Sequence, residues 1–495
     1  MAETSVLAAL VVCFLSLFIL VRRRLNPLHS INTIGPSAPL LSYIGAYRFF
    51  TNAQDVLREG YQKFKGSTFK VAMMDQWVVV VNGPNMVEEL RGFPDEKISF
   101  LHAVSKVVQP KYTMGFDAHM DPYHITLVRE RLNRNLGNLL PDVIEELELS
   151  MKEYIPTRGN EWTSVLGFSA MQHIVGRVTS RLFVGTPKCR DLDYLDLAVN
   201  FMTDAMRGRA LLSLFPSFIK PFIGVFLGGA RRSSLRATKH LKPIIEEREK
   251  SLRDFGENWP EKPNDMLMWL MEEARGRPEP LEAVIKRILA LNFAAMNTSS
   301  NSVTHALYHL AENPEIASML REDAIPLIKE HGWTKAAFSQ MWKLDSFLKE
   351  SQRFNGLNGM GLVRVALDDL TLSDGTRVPR DTIIAAGSTS MHKDGDLYPD
   401  PDTFNPLRFL NTAEGGGIKL GFASPRADYI AFGRGRHACP GRFYADLELK
   451  AIIAHIALNF EVKFDNQLGR PKNEWIASTI TPAQDAKLLF RKREM

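Results

Sequence analysis

Cys439 sits in the string Phe432-Gly433-Arg434-Gly435-Arg436-His437-Ala438-Cys439-Pro440-Gly441, a glycine-rich, cationic loop. An apolar helical run follows it: Phe443, Ala445, Leu447, Leu449, Ala451 and Ile452. Nearby positive charge and the amides of a helix N-terminus both stabilise a thiolate. Pro440 suits the first helical position, and Gly441 lets backbone approach the sulfur. No neighbouring Cys or His stands at metal-cluster spacing. A lone thiolate held this way is suited to be the axial ligand of a heme iron. Two plainer readings compete. Gly433-x-Gly435-x-x-Ala438 is a fragment of a dinucleotide fingerprint, but Pro440-Gly441 would fall in the first turn of its helix and the next strand is missing. A cysteine that is merely buried is the other reading.

Three further segments bear on the choice. Glu350 and Arg353 stand three apart on a predicted helix and share a face, which alone would be an ordinary surface ion pair. Phe404-Asn405-Pro406-Leu407-Arg408-Phe409 lies between that helix and the cysteine. Leu281–Ala311 reads as an unusually long helix that stops at Glu312-Asn313-Pro314. Its middle is Phe293-Ala294-Ala295-Met296-Asn297-Thr298-Ser299.

In this order the segments resemble the cytochrome P450 monooxygenases, over about residues 35–490. The resemblance implies a mainly α (α+β) fold, with a long central helix over heme b and a small β-rich domain. Cys439 would be the iron ligand, with Phe432, Gly435 and His437 in the heme-binding loop and His437 meeting a propionate. Arg408 would join Glu350 and Arg353 in a buried triad. Ala294 would leave room for dioxygen beside Phe293, and the Thr298 hydroxyl would open the helix ladder and donate towards the oxygen site. Met360 and Leu362, in a strand at Gly359–Val363, and Ile480, in a loop at Ser478–Thr481, would be pocket walls, although both segments read equally as plain sheet. Two positions depart from the family. Asn297 stands where an acid is usual, and an amide cannot relay protons by ionising. Tyr123-His124, then Arg129, stand where Trp followed by Arg is common; His124 and Arg129 are carried over as propionate partners. His392 reads as structural.

The chain has 495 residues and a net charge of +5, with no long basic run to suggest nucleic acid. Its cysteines are Cys13, Cys189 and Cys439, which form no disulfide framework and fit a reducing compartment. Ser5–Val21 is apolar and is followed by Arg22-Arg23-Arg24. As a helix it would span roughly 25 Å, enough for a thin bilayer. Basic residues after the apolar run favour an uncleaved anchor with the arginines cytosolic. The domains expected are an anchor (1–24, helix about 5–21), a Pro-containing linker (25–40) and a catalytic domain (41–495). Helices are expected at Val56–Phe64, Met86–Leu90, Asp142–Tyr154, Trp162–Phe183 and Leu192–Met206, with a hairpin at Thr68–Val81 turning near Asp75. The apolar stretch 211–227 reads equally as a buried helix pair or a lipid-dipping loop.

The resemblance implies a single-pass endoplasmic reticulum enzyme with its catalytic domain in the cytosol. It would insert one oxygen atom of O2 into a C–H bond of an apolar small molecule. Strings such as FAAMNTSSNSVTHALYHLAENPE look like fungal microsomal members of secondary metabolism, which suggests a terpenoid or steroid-like substrate. Electrons would come from NADPH–cytochrome P450 reductase, docking at Arg434, Arg436 and Arg442. Two rivals are a heme-thiolate isomerase or dehydratase and a non-catalytic membrane-anchored heme or sterol binder. Thr298 argues against the first, and the intact Cys439, Glu350 and Arg353 against the second.

Overall fold

Every residue from Val303 to Ala311 of one helix is buried, more than two full turns on all faces. A helix buried all round must be wrapped by others. The computed structural model, which describes residues 27–117, 121–215, 219–226, 229–410, 421–465 and 468–494, places that helix at the centre. In chain order the longer helices are α1 (Ser42–Lys63), α2 (Asn133–Tyr154), α3 (Gly167–Val184), α4 (Leu192–Leu212), α5 (Gly229–Phe255), α6 (Leu281–Glu312), α7 (Pro314–His331), α8 (Trp342–Asn355) and α9 (Arg442–Asn459). The central α6 packs against α3, α4, α8 and α9. It ends one residue past the predicted stop. Asn313 caps α7 by accepting from the Glu315 N–H at 3.1 Å, and Pro314 takes the first helical position.

The strands are β1 (Thr68–Ala72), β2 (Trp77–Val81), β3 (Ile98–Ser99), β4 (Thr163–Leu166), β5 (Met360–Ala366), β6 (Leu370–Thr371), β7 (Arg377–Val378), β8 (Ile383–Gly387), β9 (Phe460–Phe464), β10 (Glu474–Ile476), β11 (Thr479–Thr481) and β12 (Lys487–Lys492). The largest sheet has the order β1-β2-β8-β5-β3; β2 and β8 run parallel and its other pairs antiparallel. A three-stranded sheet β4-β12-β9 and the pairs β10-β11 and β6-β7 complete the described strands. The β1-β2 hairpin turns through Asp75 as expected, closed by the Met73 N–H on the Gln76 carbonyl at 2.8 Å.

Three expected helix starts moved, and the helix expected to end at Met206 runs on to Leu212. Thr163–Leu166 is strand β4, paired with β12, and not the start of a helix. The alternation of β-branched Thr163 and Val165 is the signal for it. Gly167 then starts α3, and glycine is needed there because a Cβ would lie 2.9 Å from Leu488 and Tyr308. The helix expected from Asp142 begins at Asn133 and runs through Pro141. Its fourth neighbour back, where a proline ring presses, is Gly137. The helix expected at Val56–Phe64 starts at Ser42, because its first half has few inward apolar positions and a kink at Asn52 interrupts the pattern.

The apolar run 5–21, and the anchor expected there, lie outside the described residues. Among the described residues no helix is long and apolar enough to cross a membrane. The linker is non-helical from residue 27 as far as Thr33–Ile34, and it lies along β1. The Lys70 N–H donates to the Asn32 carbonyl at 2.7 Å, and the Ile34 N–H to the Lys70 carbonyl at 3.2 Å. Of the 211–227 stretch, Leu214 and Phe222 are exposed, which does not fit a buried helix pair.

Glu350, Arg353 and Arg408 meet as one group. Arg353 grips the Glu350 carboxylate twice, at 2.7 and 2.8 Å, and the Arg408 Nε lies 3.0 and 3.1 Å from its two oxygens. The Asn405 N–H adds a fourth donor at 3.0 Å. Glu350 and Arg353 are fully buried and Arg408 nearly so. Removing one partner strands a buried charge, at a cost of about 3–5 kcal/mol. Glu350→Ala and Arg353→Ala are each expected to abolish most folded, heme-loaded protein, read as heme absorbance per mole of purified chain. Normal loading in either variant would contradict a structural role for the triad.

Candidate active site

Loop 432–441 folds back on itself. The Cys439 N–H donates to the Phe432 carbonyl at 2.8 Å, the Gly433 N–H to the Ile430 carbonyl at 2.8 Å and the Ala438 N–H to the Gly435 carbonyl at 3.0 Å. Gly433 and Gly435 take φ of 73° and 72°, which favour glycine. A Cβ on Gly435 would also lie 2.5 Å from the Arg91 side chain. Helix α9 begins at Arg442 with Gly441 as its cap, so Pro440 precedes the helix and does not occupy its first position. The amides that face the thiol are those of Gly441 and Arg442. Burial pushes the Cys439 thiol up, while these amides and the Arg442 guanidinium pull it down. Cys189 contrasts with it. Burial and then the Glu146 carboxylate push its thiol up to about 11, which leaves it inert.

The loop's cations are mostly committed within the protein. Arg434 donates to Glu88 at 2.7 Å and to the Pro425 carbonyl at 3.0 Å. Arg442 donates to the Cys439 carbonyl at 2.9 Å. Of the three arginines expected to form a docking patch, Arg436 is the exposed one. His437 pairs with Asp95 at 2.6 Å, and this bond holds the Asp95 carboxyl below its usual value. Arg129, expected near a propionate, is exposed and donates to the Arg436 carbonyl at 3.4 Å, bracing the loop from outside. A single π turn, Val128–Leu132, sets this contact, and Asn133 just after it donates to the Pro440 carbonyl at 3.3 Å. His124 is half-buried. Burial, then the Arg287 charge, lowers its pKa to about 4, and its Nδ1 is buried without a partner.

On α6, Ala294 is exposed although it lies in the middle of a core helix, and Phe293 and Thr298 are half-buried. That face therefore opens onto internal space. The Thr298 Oγ donates to the carbonyls of Ala294 (2.8 Å) and Ala295 (3.1 Å), and the helix is continuous there. The expected break in the ladder is absent, because back-bonding satisfies the hydroxyl proton within the helix. The Thr298 oxygen remains an acceptor towards the open face. Asn297 is turned away, its amide 3.4 Å from the Val199 carbonyl on α4. Among the expected pocket walls, Ile480 has no accessible surface, and Met360 and Leu362 are also buried. All three are packed into the structure, and Gly361, Val363 and Thr479 beside them are less buried.

Two residues escaped the sequence reading. Arg364, on β5, is buried and donates to the Val363 carbonyl at 2.8 Å; burial lowers it to about 10, opposed by Asp95. An arginine inside an apolar strand is the signal that marks it. Glu448 on α9 is fully buried, with no cation beside it among the described residues. Burial raises its pKa, and Tyr444 (2.7 Å), Thr179 (2.8 Å) and Ser299 surround it. Ser299 follows Thr298, so this buried carboxyl pins α6 at the open face.

The donor set fits a planar iron macrocycle with two carboxylate arms. Among the described residues it has one accessible thiol, Cys439, and no cluster of His, Cys, Asp or Glu that would bind a metal without such a macrocycle. Arg364, His437 and the unpartnered Nδ1 of His124 are the groups available for the arms. The family model described as Cytochrome P450 matches residues 34–490. Cytochrome P450 monooxygenase 151 of Postia placenta is 48% identical over 473 residues, 95% of each chain. Cytochrome P450 monooxygenase CYP512U6 of Ganoderma lucidum is 39% identical over 96% of this chain and 94% of its own. A solved structure described as retinoic acid bound cyanobacterial CYP120A1 shares the fold, with a TM-score of 0.71 at 19% identity, covering 90% of this chain and 96% of that one. A helix-rich fold around a single-thiolate heme site defines a heme-thiolate oxygenase. The chain belongs to the cytochrome P450 family and is a monooxygenase that uses heme with a cysteine thiolate on the iron.

Burial also makes the fold acid-sensitive. It holds His305 and His309 neutral and lowers His392 to about 3. Below about pH 6.5 the unfolded chain takes up protons that these rings refuse. Stability present above that pH is thus lost as pH falls, by about 2 kcal/mol at pH 5 for His392 alone. The melting temperature of the heme-loaded protein is expected to be flat from pH 8 to 7 and to drop steeply between pH 6.5 and 5. A flat profile down to pH 5 would mean that these rings titrate freely.

Proposed function

We propose that this enzyme inserts one oxygen atom of O2 into a C–H bond of an apolar small molecule of terpenoid or steroid-like class. The bound heme supplies oxygen activation, favoured by electron donation from the thiolate. The protein's part is to hold the sulfur, shape a dry pocket and guide protons. The observation that carries this reading is the exposed Ala294 one turn from the Thr298 hydroxyl, on a helix that is otherwise core. Small side chains keep that space open, and the Thr298 oxygen can hold a water there as an acceptor. Asn297 does not relay protons, so water held by Thr298 is the path proposed. The substrate class rests on the likeness of residues 293–315 to fungal microsomal members, and on the apolar lining at Phe293 and Ala294.

The electron donor proposed is NADPH–cytochrome P450 reductase, met at the face where Arg129, Arg134 and Arg436 are exposed beside the cysteine loop. The site proposed is the cytosolic face of the endoplasmic reticulum. The apolar run 5–21 before three arginines supports it. So does an exposed apolar face at the start of α1, with Leu40, Tyr43, Ile44, Tyr47 and Phe50.

Thr298→Ala is expected to keep heme loading and the affinity for apolar ligands. With reductase and a panel of sesqui-, di- and triterpenes, the ratio of product to NADPH consumed should fall about tenfold or more, with peroxide rising in its place. An unchanged ratio would remove Thr298 from the proton path. Asn297→Asp sets a carboxylate against the Val199 carbonyl, so it should cost about 1–3 kcal/mol of stability and leave the ratio unimproved.

A further inference from the structure

We propose that Arg470 is a positioning residue that sets the spacing of the pocket walls, by tying the start of β5 and the β10-β11 hairpin to the central helix. The role of those walls rests on the monooxygenase reading above; the tie itself is independent of it. One Arg470 terminal nitrogen donates to the His309 Nε2 at 2.9 Å. The other reaches the His305 Nδ1 (3.1 Å), the Asn355 Oδ1 (2.7 Å) and the Asn473 Oδ1 (3.1 Å). His305 and His309 are one turn apart on α6 and share a face. Asn355 is the last residue of α8, and Asn473 directly precedes β10. The Asn355 amide also lies 3.0 Å from the His309 Nε2, and the Asn473 amide donates to the Asn355 Oδ1 at 3.2 Å. One guanidinium thus gathers three elements.

The walls hang directly from this knot. Four residues separate Asn355 from β5. Along them the Gly359 N–H donates to the Ser478 carbonyl at 2.7 Å and the Ile480 N–H to the Leu357 carbonyl at 2.9 Å. A shift of Arg470 therefore moves both segments together against α6, the helix that carries Ala294 and Thr298. A lysine cannot reproduce this, because one ammonium cannot present a planar fork to four acceptors.

The chemistry requires both imidazoles to accept. A ring nitrogen can accept from Arg470 only while it is unprotonated. Burial, then the Arg470 charge, keeps both rings neutral. The charged groups facing them are Arg470, Glu312 (3.9 Å from the His309 Nδ1) and Lys393. The knot is also costly. The His305 Nε2 and the Arg470 Nε are buried without partners. Apolar packing would be the more stable filling. An imperfectly satisfied polar knot at this junction is accounted for by the geometry it imposes.

Two azole probes separate wall geometry from iron access in the full-length holoenzyme. Imidazole is small and reports the iron; clotrimazole adds bulky aryl groups that must fit between the walls. Arg470→Gln and Arg470→Lys are expected to keep the thiolate-type spectrum and to bind imidazole within about twofold of wild type, while clotrimazole weakens about tenfold or more, as for wall misplacement. Hydrogen exchange of the amides in 474–481 should rise in the same variants, with α6 unchanged. Should Arg470→Gln fail to fold, His305→Leu, which deletes an acceptor, is expected to show the same pattern, and His305→Gln, which keeps one, to stay near wild type. A ratio of clotrimazole to imidazole affinity unchanged from wild type, or unchanged exchange in the hairpin, would overturn the proposal. Loss of the terpene oxidation reading would not, since neither readout uses turnover.

Discussion

The carboxylate of Glu350, closed between Arg353 and Arg408, is the interaction on which the site depends. A buried anion with four donors cannot move without exposing charge to a medium that does not solvate it. Its reach into the site is short. Arg353 also donates to the His392 carbonyl at 2.6 Å, and the His392 Nε2 accepts from the Ile430 N–H at 3.2 Å. The Ile430 carbonyl accepts from Gly433, and the Phe432 carbonyl from Cys439. The ion triad therefore governs where the sulfur sits through a few hydrogen bonds, and His392 earns its structural role as the link. Its low pKa follows from the same burial, which is why acid should loosen the loop as well as the core.

On the other side of the pocket, α6 is held in rotation by polar pins at successive positions. Asn297 reaches Val199 on α4, Ser299 lies against Glu448 on α9, and His305 and His309 receive Arg470. Between these pins Ala294 and Thr298 face the opening. Asn297 and Ser299 pin the helix on either side of that face, and the histidines pin the same face about two turns further on, so it can stay open at Ala294 without rolling into the gap. The small residue at 294 and the back-bonded hydroxyl at 298 then keep that face narrow in bulk but still polar.

The chemistry was legible where residue type alone constrains geometry. Cys439 among glycines and cations, Glu350 with Arg353, and the apolar length of α6 each have one comfortable arrangement. The legibility failed where a side chain had several partners available. His437 could meet a propionate or a carboxylate, and Asp95, 342 residues away in sequence, is its partner here. Thr298 could donate outward or to its own helix, and it does the latter. Glu448 and Arg470 were invisible because a buried charge is recognised only once the fold shows what surrounds it.

The central claim is that Cys439 is the thiolate on which heme binding rests. It is tested most directly by the reduced, carbon monoxide-bound absorption spectrum of the full-length protein and of two serine variants. Wild type and Cys189→Ser should show the red-shifted Soret band that thiolate ligation gives, with equal intensity per heme. Cys439→Ser should lose that band while any heme it retains absorbs at shorter wavelength. A normal band in Cys439→Ser would contradict the account.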